Sequence, residues 1–273
     1  FGLHPRKRLG QNFLTDPVAL ERIVLAADLS VDDSVLEVGA GLGTLTRPLA
    51  EHAGQVVAVE LDDQLVEILR QRLHDLPNVQ ILHGNILRIP GFGFAHQGYK
   101  LVANLPYYLT SAVLRRFLEN EPRPRLMVVT VQLEVARRIV ARPGKMSLLA
   151  VSVQLFGQPR IASRIPPGAF YPAPKVDSAV VLIDVHEKPT VPLAEEYGQA
   201  TFFRVVRAGF GQRRKTLRNA LSGGLGLPPS RVADALEEVG VDSRRRAETL
   251  SLEEWAEVTE ALSAWLGKTQ QKA

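Results

Sequence analysis

The chain contains no cysteine in its 273 residues, which excludes disulfides, thiolate metal sites and thiol nucleophiles. Its six histidines show no metal-ligand spacing, so no metal is expected and they read as surface or structural groups. No stretch reaches the roughly 18 uninterrupted apolar residues of a membrane-spanning helix. The opening Phe1-Gly-Leu-His-Pro-Arg-Lys-Arg8 is basic where a secretory leader would be apolar. Repeats and low-complexity tracts are missing too. These absences point to a soluble cytoplasmic protein with no membrane partner.

What is present is enough apolar material, 45% of the residues, to bury one substantial core and leave a small second domain. Thr15-Asp16-Pro17 is a helix-start signal, continued by Leu20, Ile23 and Val24 at helical spacing. Strands are then predicted at 34–38, 56–60, 79–82, 99–103 and 126–131, with helices between them at 45–52, 64–74 and 111–118. Strands alternating with helices of this length argue for an α/β fold with a parallel sheet covered on both faces. After 134–140 the pattern changes, and the runs 148–156 and 176–185 read as an antiparallel edge hairpin. The polar, proline-bearing segment from His186 to Pro192 is the best linker, which places domains at 1–188 and 189–273. Beyond it the pattern is all-helical, with segments near 195–208, 215–221, 230–239 and 252–266.

Glu37-Val-Gly39-Ala-Gly41-Leu-Gly43 closes the first of those strands, where glycine lets the backbone turn sharply and approach a ligand. Thr44 stands where the dinucleotide fingerprint requires glycine, which favours a ligand that lays an amino-acid portion, not a diphosphate, against the loop. Glu60 ends the next strand, where an acid in such folds accepts from ribose hydroxyls. Asn85 follows the third, with a donor and an acceptor for an adenine edge. Asn104-Leu-Pro-Tyr107 follows the fourth. An adenine amine is a poor nucleophile because its lone pair is delocalised into the ring, so two acceptors must draw its hydrogens out of plane. The Asn104 side-chain oxygen and a backbone carbonyl at Leu105 or Pro106 suit that task. Tyr107 or Phe170 would stack on the base. Methyl transfer from a sulfonium to such an amine needs in-line positioning more than a general base.

The net charge is +4, and the basic residues cluster. Lys7 and Arg8 form one group; Arg204, Arg207, Arg213, Arg214, Lys215 and Arg218 form another. On a helix, Arg204, Arg207, Arg214 and Arg218 would share a face opposite Phe203, Val206 and Phe210, with a break expected near Gly209 to Gly211. Clustered charge of this kind suits phosphate contacts.

With those residues in view, the chain resembles the KsgA family of small-subunit ribosomal RNA adenine dimethyltransferases nearly end to end. Leu9 to Leu14 is similar to the family's opening motif, Val35 to Thr46 to its first cofactor motif, and Asn104 to Tyr107 to its target-adenine motif. Phe170 to Ser178 resembles its base-stacking motif and Arg213 to Asn219 its C-terminal signature. The resemblance implies a Rossmann-like class I methyltransferase sheet with a small C-terminal all-helical domain. It also implies S-adenosyl-L-methionine as cofactor, contacted by Asn12, Leu14, Gly39, Gly41, Glu60, Asn85 and Asn104. The implied activity is N6-dimethylation of two adjacent adenosines in a hairpin near the 3′ end of small-subunit rRNA, within an assembling ribosomal subunit, by a monomer. Asn85 stands where the family usually has aspartate, and Lys145-Met-Ser147 where it has a tyrosine and glycine. The competing readings are a large-subunit methylase of the erythromycin-resistance type, a catalytically silent ribosome-assembly factor and, more distantly, a nicotinamide dehydrogenase.

Overall fold

The structure, a computed structural model, describes residues 11–89, 98–193 and 198–266. In chain order it runs β1 (Phe13–Leu14), α1 (Pro17–Ala27), β2 (Ser34–Val38), α2 (Thr46–His52), β3 (Gln55–Glu60), α3 (Asp63–Arg72) and β4 (Val79–His83). It continues through β5 (Lys100–Asn104), α4 (Thr110–Glu119), β6 (Leu126–Gln132), α5 (Leu133–Ile139), α6 (Leu148–Gln154), β7 (Gly157–Ile165), β8 (Phe170–Tyr171) and β9 (Ser178–Val185). The helices α7 (Gly198–Phe210), α8 (Leu217–Leu225), α9 (Pro229–Glu238) and α10 (Leu252–Leu266) follow. As far as the described residues reach, the chain divides into two compact units, Phe1–Arg137 with Gly157–Glu187 and Arg138–Phe156 with Lys188–Ala273.

The first unit is built on a seven-stranded sheet of order β4-β3-β2-β5-β6-β9-β7. The strands from β4 to β6 are mutually parallel, whereas β9 runs antiparallel to both β6 and β7. Consecutive residues such as Val35 and Leu36, or Val56 and Val57, are buried on opposite faces, the signature of a sheet covered on both sides. Ile23, Val24 and Ala27 of α1 and Leu49 and Ala50 of α2 pack over one face with Val35, Val56, Val102, Val128 and Val180. Asp16 starts α1 by accepting from the Ala19 N–H at 2.7 Å, with Pro17 in the first turn. From β2 the chain winds one way through β3 and β4, then returns to β5 on the other side. The switch point therefore lies at the carboxyl ends of β2 and β5, where open α/β sheets form their crevices. At the opposite end of β5 the buried Lys100 ammonium donates to Asp33 at 3.0 Å, and Arg125 pairs with the same carboxylate.

Two expectations require correction. Leu148 to Phe156 is not a strand: α6 occupies Leu148–Gln154, and the partner of β9 is β7 at Gly157–Ile165. Ser152 and Gln154, two apart in an otherwise apolar run, imitate the alternation of a strand, and a run this short cannot separate helix from strand by period. The deciding signal is Ser147, whose hydroxyl caps the helix by accepting from the Ala150 N–H at 3.2 Å. Pro159 hid β7, and is tolerated because that strand is the sheet edge. The predicted start of the second unit near 188 accordingly omitted Arg138–Phe156, which cluster with it.

The second unit packs its helices around Trp255, which is fully buried. Phe210 lies 5.6 Å from it by ring centroids, and Phe202 and Phe203 meet edge-on at 5.4 Å. Glycine is required where backbone crosses ring: a Cβ at Gly209 would stand 2.4 Å from the Trp255 indole. Among the described residues, no helix is long and apolar enough to cross a membrane.

Candidate active site

The turn after β2 and the corner after β5 face one cavity, lined by Gln11, Asn12, Phe13, Gly39, Gly41, Glu60, Asn85, Asn104 and Leu105 to Leu109, among others. Gly39 and Gly41 hold φ of +76° and +60°, the left-handed region that side chains avoid. A Cβ at Gly41 would press to 3.2 Å on the Phe13 ring. Their bare backbone therefore forms the floor of the cavity.

Glu60 organises this floor. One carboxylate oxygen accepts from the Gly41 N–H at 2.9 Å, and the other from the Leu61 and Asp62 N–H groups at 2.8 and 2.9 Å. A carboxylate offers about four acceptor positions, so one remains for a hydroxyl in the cavity. Asn85 uses its side-chain oxygen to accept from the Leu87 N–H at 2.9 Å. Its amide NH2 is thus its free end, which suits an acceptor atom on a purine edge.

At the β5 corner the Asn104 amide donates to the Asn12 carbonyl at 3.1 Å. A carbonyl partner demands the NH2 end, so the side-chain oxygen of Asn104 is left to accept. The Pro106 carbonyl already receives the Leu109 N–H at 2.9 Å, whereas that of Leu105 receives no donor from the described residues. The Tyr107 hydroxyl is bonded to that of Ser178 at 2.8 Å, which fixes the ring, and burial raises the phenol above its ordinary range. It remains neutral and is no base at physiological pH. Beneath the glycine turn, burial pushes the Glu37 carboxyl up to about 8, with the Glu60 carboxylate adding to the shift.

The structure brings Asn12, Gly39, Gly41, Glu60, Asn85, Asn104, Leu105, Pro106 and Tyr107 together around this cavity. Leu14 and Phe170 are not among the lining residues. They oppose each other across the β1–β8 ladder and point into the core, 1% and 4% exposed. For Leu14 only the carbonyl is in play, and it accepts from the Thr44 hydroxyl at 3.1 Å. Stacking by Phe170, as the resemblance implied, finds no exposed ring here. Sequence reasoning missed Gln11, Phe13 and Tyr108 as lining residues; only their adjacency to Asn12 and Tyr107 signalled them.

Of the predicted basic cluster, Lys7 and Arg8 lie outside the described residues. Arg204 and Arg207 stand on α7, Arg213 to Lys215 in the turn after it, and Arg218 on α8, so the expected break is real and the single shared face is not. Arg207, Arg213 and Lys215 line a second cavity together with Arg138 and Glu248. Arg204, Arg214 and Arg218 are not among its lining residues. Arg138 escaped notice because it lies some 70 residues earlier in the chain.

A sheet of this order, with its ligand-facing turns at the switch point, defines the Rossmann-like class I methyltransferases. The chain is similar to a solved dimethyladenosine transferase of Plasmodium falciparum, with a TM-score of 0.77 at 23% identity over 92% of this chain and 98% of that one. It is also similar to the 23S rRNA methyltransferase ErmE, with a TM-score of 0.70 at 29% identity over 92% of this chain and all of that one. The model of the family "Ribosomal RNA adenine dimethylase" matches residues 2–264, and the chain belongs to that family. Relatives include the ribosomal RNA small subunit methyltransferase A of Dehalococcoides mccartyi, 51% identical over 93% of this chain and 87% of that protein. That of Pelotomaculum thermopropionicum is 46% identical over 95% of this chain and 92% of its own length.

Proposed function

We propose that the protein transfers methyl groups from S-adenosyl-L-methionine to the N6 amines of two adjacent adenosines in a hairpin near the 3′ end of small-subunit rRNA, as part of ribosome biogenesis in the cytoplasm. The observation that carries this reading is the pinned Asn104 amide, whose oxygen is directed to accept, next in the chain to a Leu105 carbonyl that receives no donor from the described residues. Two acceptors set side by side are what a purine amine needs to turn its lone pair out of conjugation.

The residues fit the donor. Gly39 and Gly41 would take its amino-acid portion against bare backbone, Glu60 a ribose hydroxyl, and the Asn85 amide a ring nitrogen of its adenine. When bound, the donor supplies an electrophilic methyl on sulfonium. The chain's own part is to orient: Asn104 and Leu105 hold the amine, Pro106 stiffens the turn, and the Tyr107 ring keeps the base flat. The amine proton is released only as nitrogen gains the methyl, so water suffices as its acceptor. The neutral phenol of Tyr107 accords with that.

Asn104→Ala should lower transfer to unmethylated small subunits by at least about a hundredfold while leaving donor affinity, read by calorimetry, within a few-fold. Full retention of transfer would refute the mechanism. The large-subunit alternative draws support from the likeness to ErmE, but the small-subunit relatives are far more similar. Labelled donor offered to each purified subunit, followed by nucleoside analysis, separates the two.

A further inference from the structure

The strand that turns Phe170 inward turns its neighbour outward. Successive strand residues point to opposite faces, and directly opposed residues of an antiparallel pair share one. Since Leu14 and Phe170 are buried, the opposed pair Phe13 and Tyr171 occupies the other face. Phe13 lines the cavity of the active site. Tyr171, opposite it across the ladder, is 66% exposed. Tyr108, which lines the same cavity after Pro106, is 58% exposed. Neither hydroxyl bonds to another described residue. The chain has only five tyrosines; Tyr107 and Tyr108 line this cavity, and Tyr171 stands across the ladder from Phe13, which also lines it. An isolated exposed apolar group is ordinary, whereas aromatic rings grouped at a ligand site are not.

The segment that follows adds a charge. Lys175 and Val176 are exposed on the way from Tyr171 to the buried Ser178, and the nearby Asp177 is paired with Arg164 at 2.5 Å, not with this lysine. Exposed rings with a cation nearby in the chain, one that pairs with no acid among the described residues, are the elements by which proteins hold unstacked nucleic acid.

Resting on the RNA-methylating function proposed above, we infer that Tyr171 and Tyr108 are stacking platforms for nucleobases that flank the methylated adenine in single-stranded RNA. The base being methylated stacks on Tyr107 inside the cavity; its neighbours lie on the two outer rings. Stacking depends on a flat π surface, so at position 171 tryptophan and phenylalanine should serve and leucine should not.

The test uses the full chain and a labelled hairpin oligoribonucleotide with two adjacent adenines in its loop. Tyr171→Ala and Tyr171→Leu should each weaken RNA binding by roughly tenfold, with donor affinity and thermal midpoint unchanged because the side chain is exposed. Tyr171→Trp should bind like the parent, and the new indole fluorescence should be quenched by RNA. Tyr108→Ala should weaken binding similarly. If the alanine and leucine variants bind RNA as the parent does, or leucine serves as well as tryptophan, stacking at this ring is overturned. If the unaltered protein fails to methylate purified unmethylated small subunits, the proposed function itself fails, and the inference with it.

Discussion

Among single residues, Glu37 sets the sharpest expectation. Its carboxyl is buried and one of its oxygens has no hydrogen-bond partner. The folded protein holds the proton up to about pH 8, against an ordinary value of 4.5. Between those values the unfolded chain binds fewer protons than the folded one, so stability falls as pH rises through that window and the deficit is complete above it. Glu37→Gln should therefore raise the urea midpoint at pH 8.5, by on the order of 3 kcal/mol in unfolding free energy. The gain should shrink to nothing near pH 4.5. A gain of the same size at both pH values would contradict the assigned titration.

The same scale shows how much of the site could be read in advance. The place of Gly39, Gly41, Glu60, Asn85 and Asn104 at the cavity was legible because each ends or shortly follows a strand with a clear pattern, and strand ends at a switch point face the crevice. Leu14 and Phe170 were misplaced because a two-residue ladder is too short to display alternation; a one-residue difference in phase exchanges Phe170 for Tyr171. The bond between Ser178 and Tyr107 spans 71 positions, and no local pattern could announce it.

At the level of elements, the parallel strands and their helices were predicted within a few residues, since periodicity and turn chemistry agree there. α6 and β7 were not, because Ser152 and Gln154 give the apolar run from Leu148 to Phe156 a strand-like alternation and the true strand carries Pro159. The crossing of α7 over α10 was likewise silent in sequence, although Gly209 marks it. Gly209→Ala inserts a methyl where only 2.4 Å separates the new carbon from the Trp255 indole, in a helix that alanine would otherwise favour. It should lower stability by about 1–3 kcal/mol, seen as a reduced thermal midpoint with loss of near-UV aromatic signal. A rise in midpoint, as helix propensity alone predicts, would show that this packing is loose.

For the whole molecule, the basic residues matter as a group. Arg207, Arg213 and Lys215 meet Arg138 around one hollow of the helical unit with Glu248 as the one acid among them. Phosphate contacts carry no direct sequence information but supply a large share of nucleic-acid affinity and make it salt-dependent. Neutralising Arg213, Arg214 and Lys215 together should weaken RNA binding and reduce the slope of log affinity against log salt by roughly two to three. An unchanged slope across a salt series would remove this surface from the interface. The cluster was visible in sequence except for Arg138, which only the tertiary fold delivers to it.

Through its bond to the Asn12 carbonyl, the reacting corner after β5 is tied to a thread that enters ahead of β1 and is secured there by two strand residues. The Asn104 amide thus takes its orientation from a segment outside the large sheet, although Asn104 itself ends β5. If the proposed function holds, displacing this short thread should slow turnover while the thermal midpoint, set by the large sheet, stays near that of the parent.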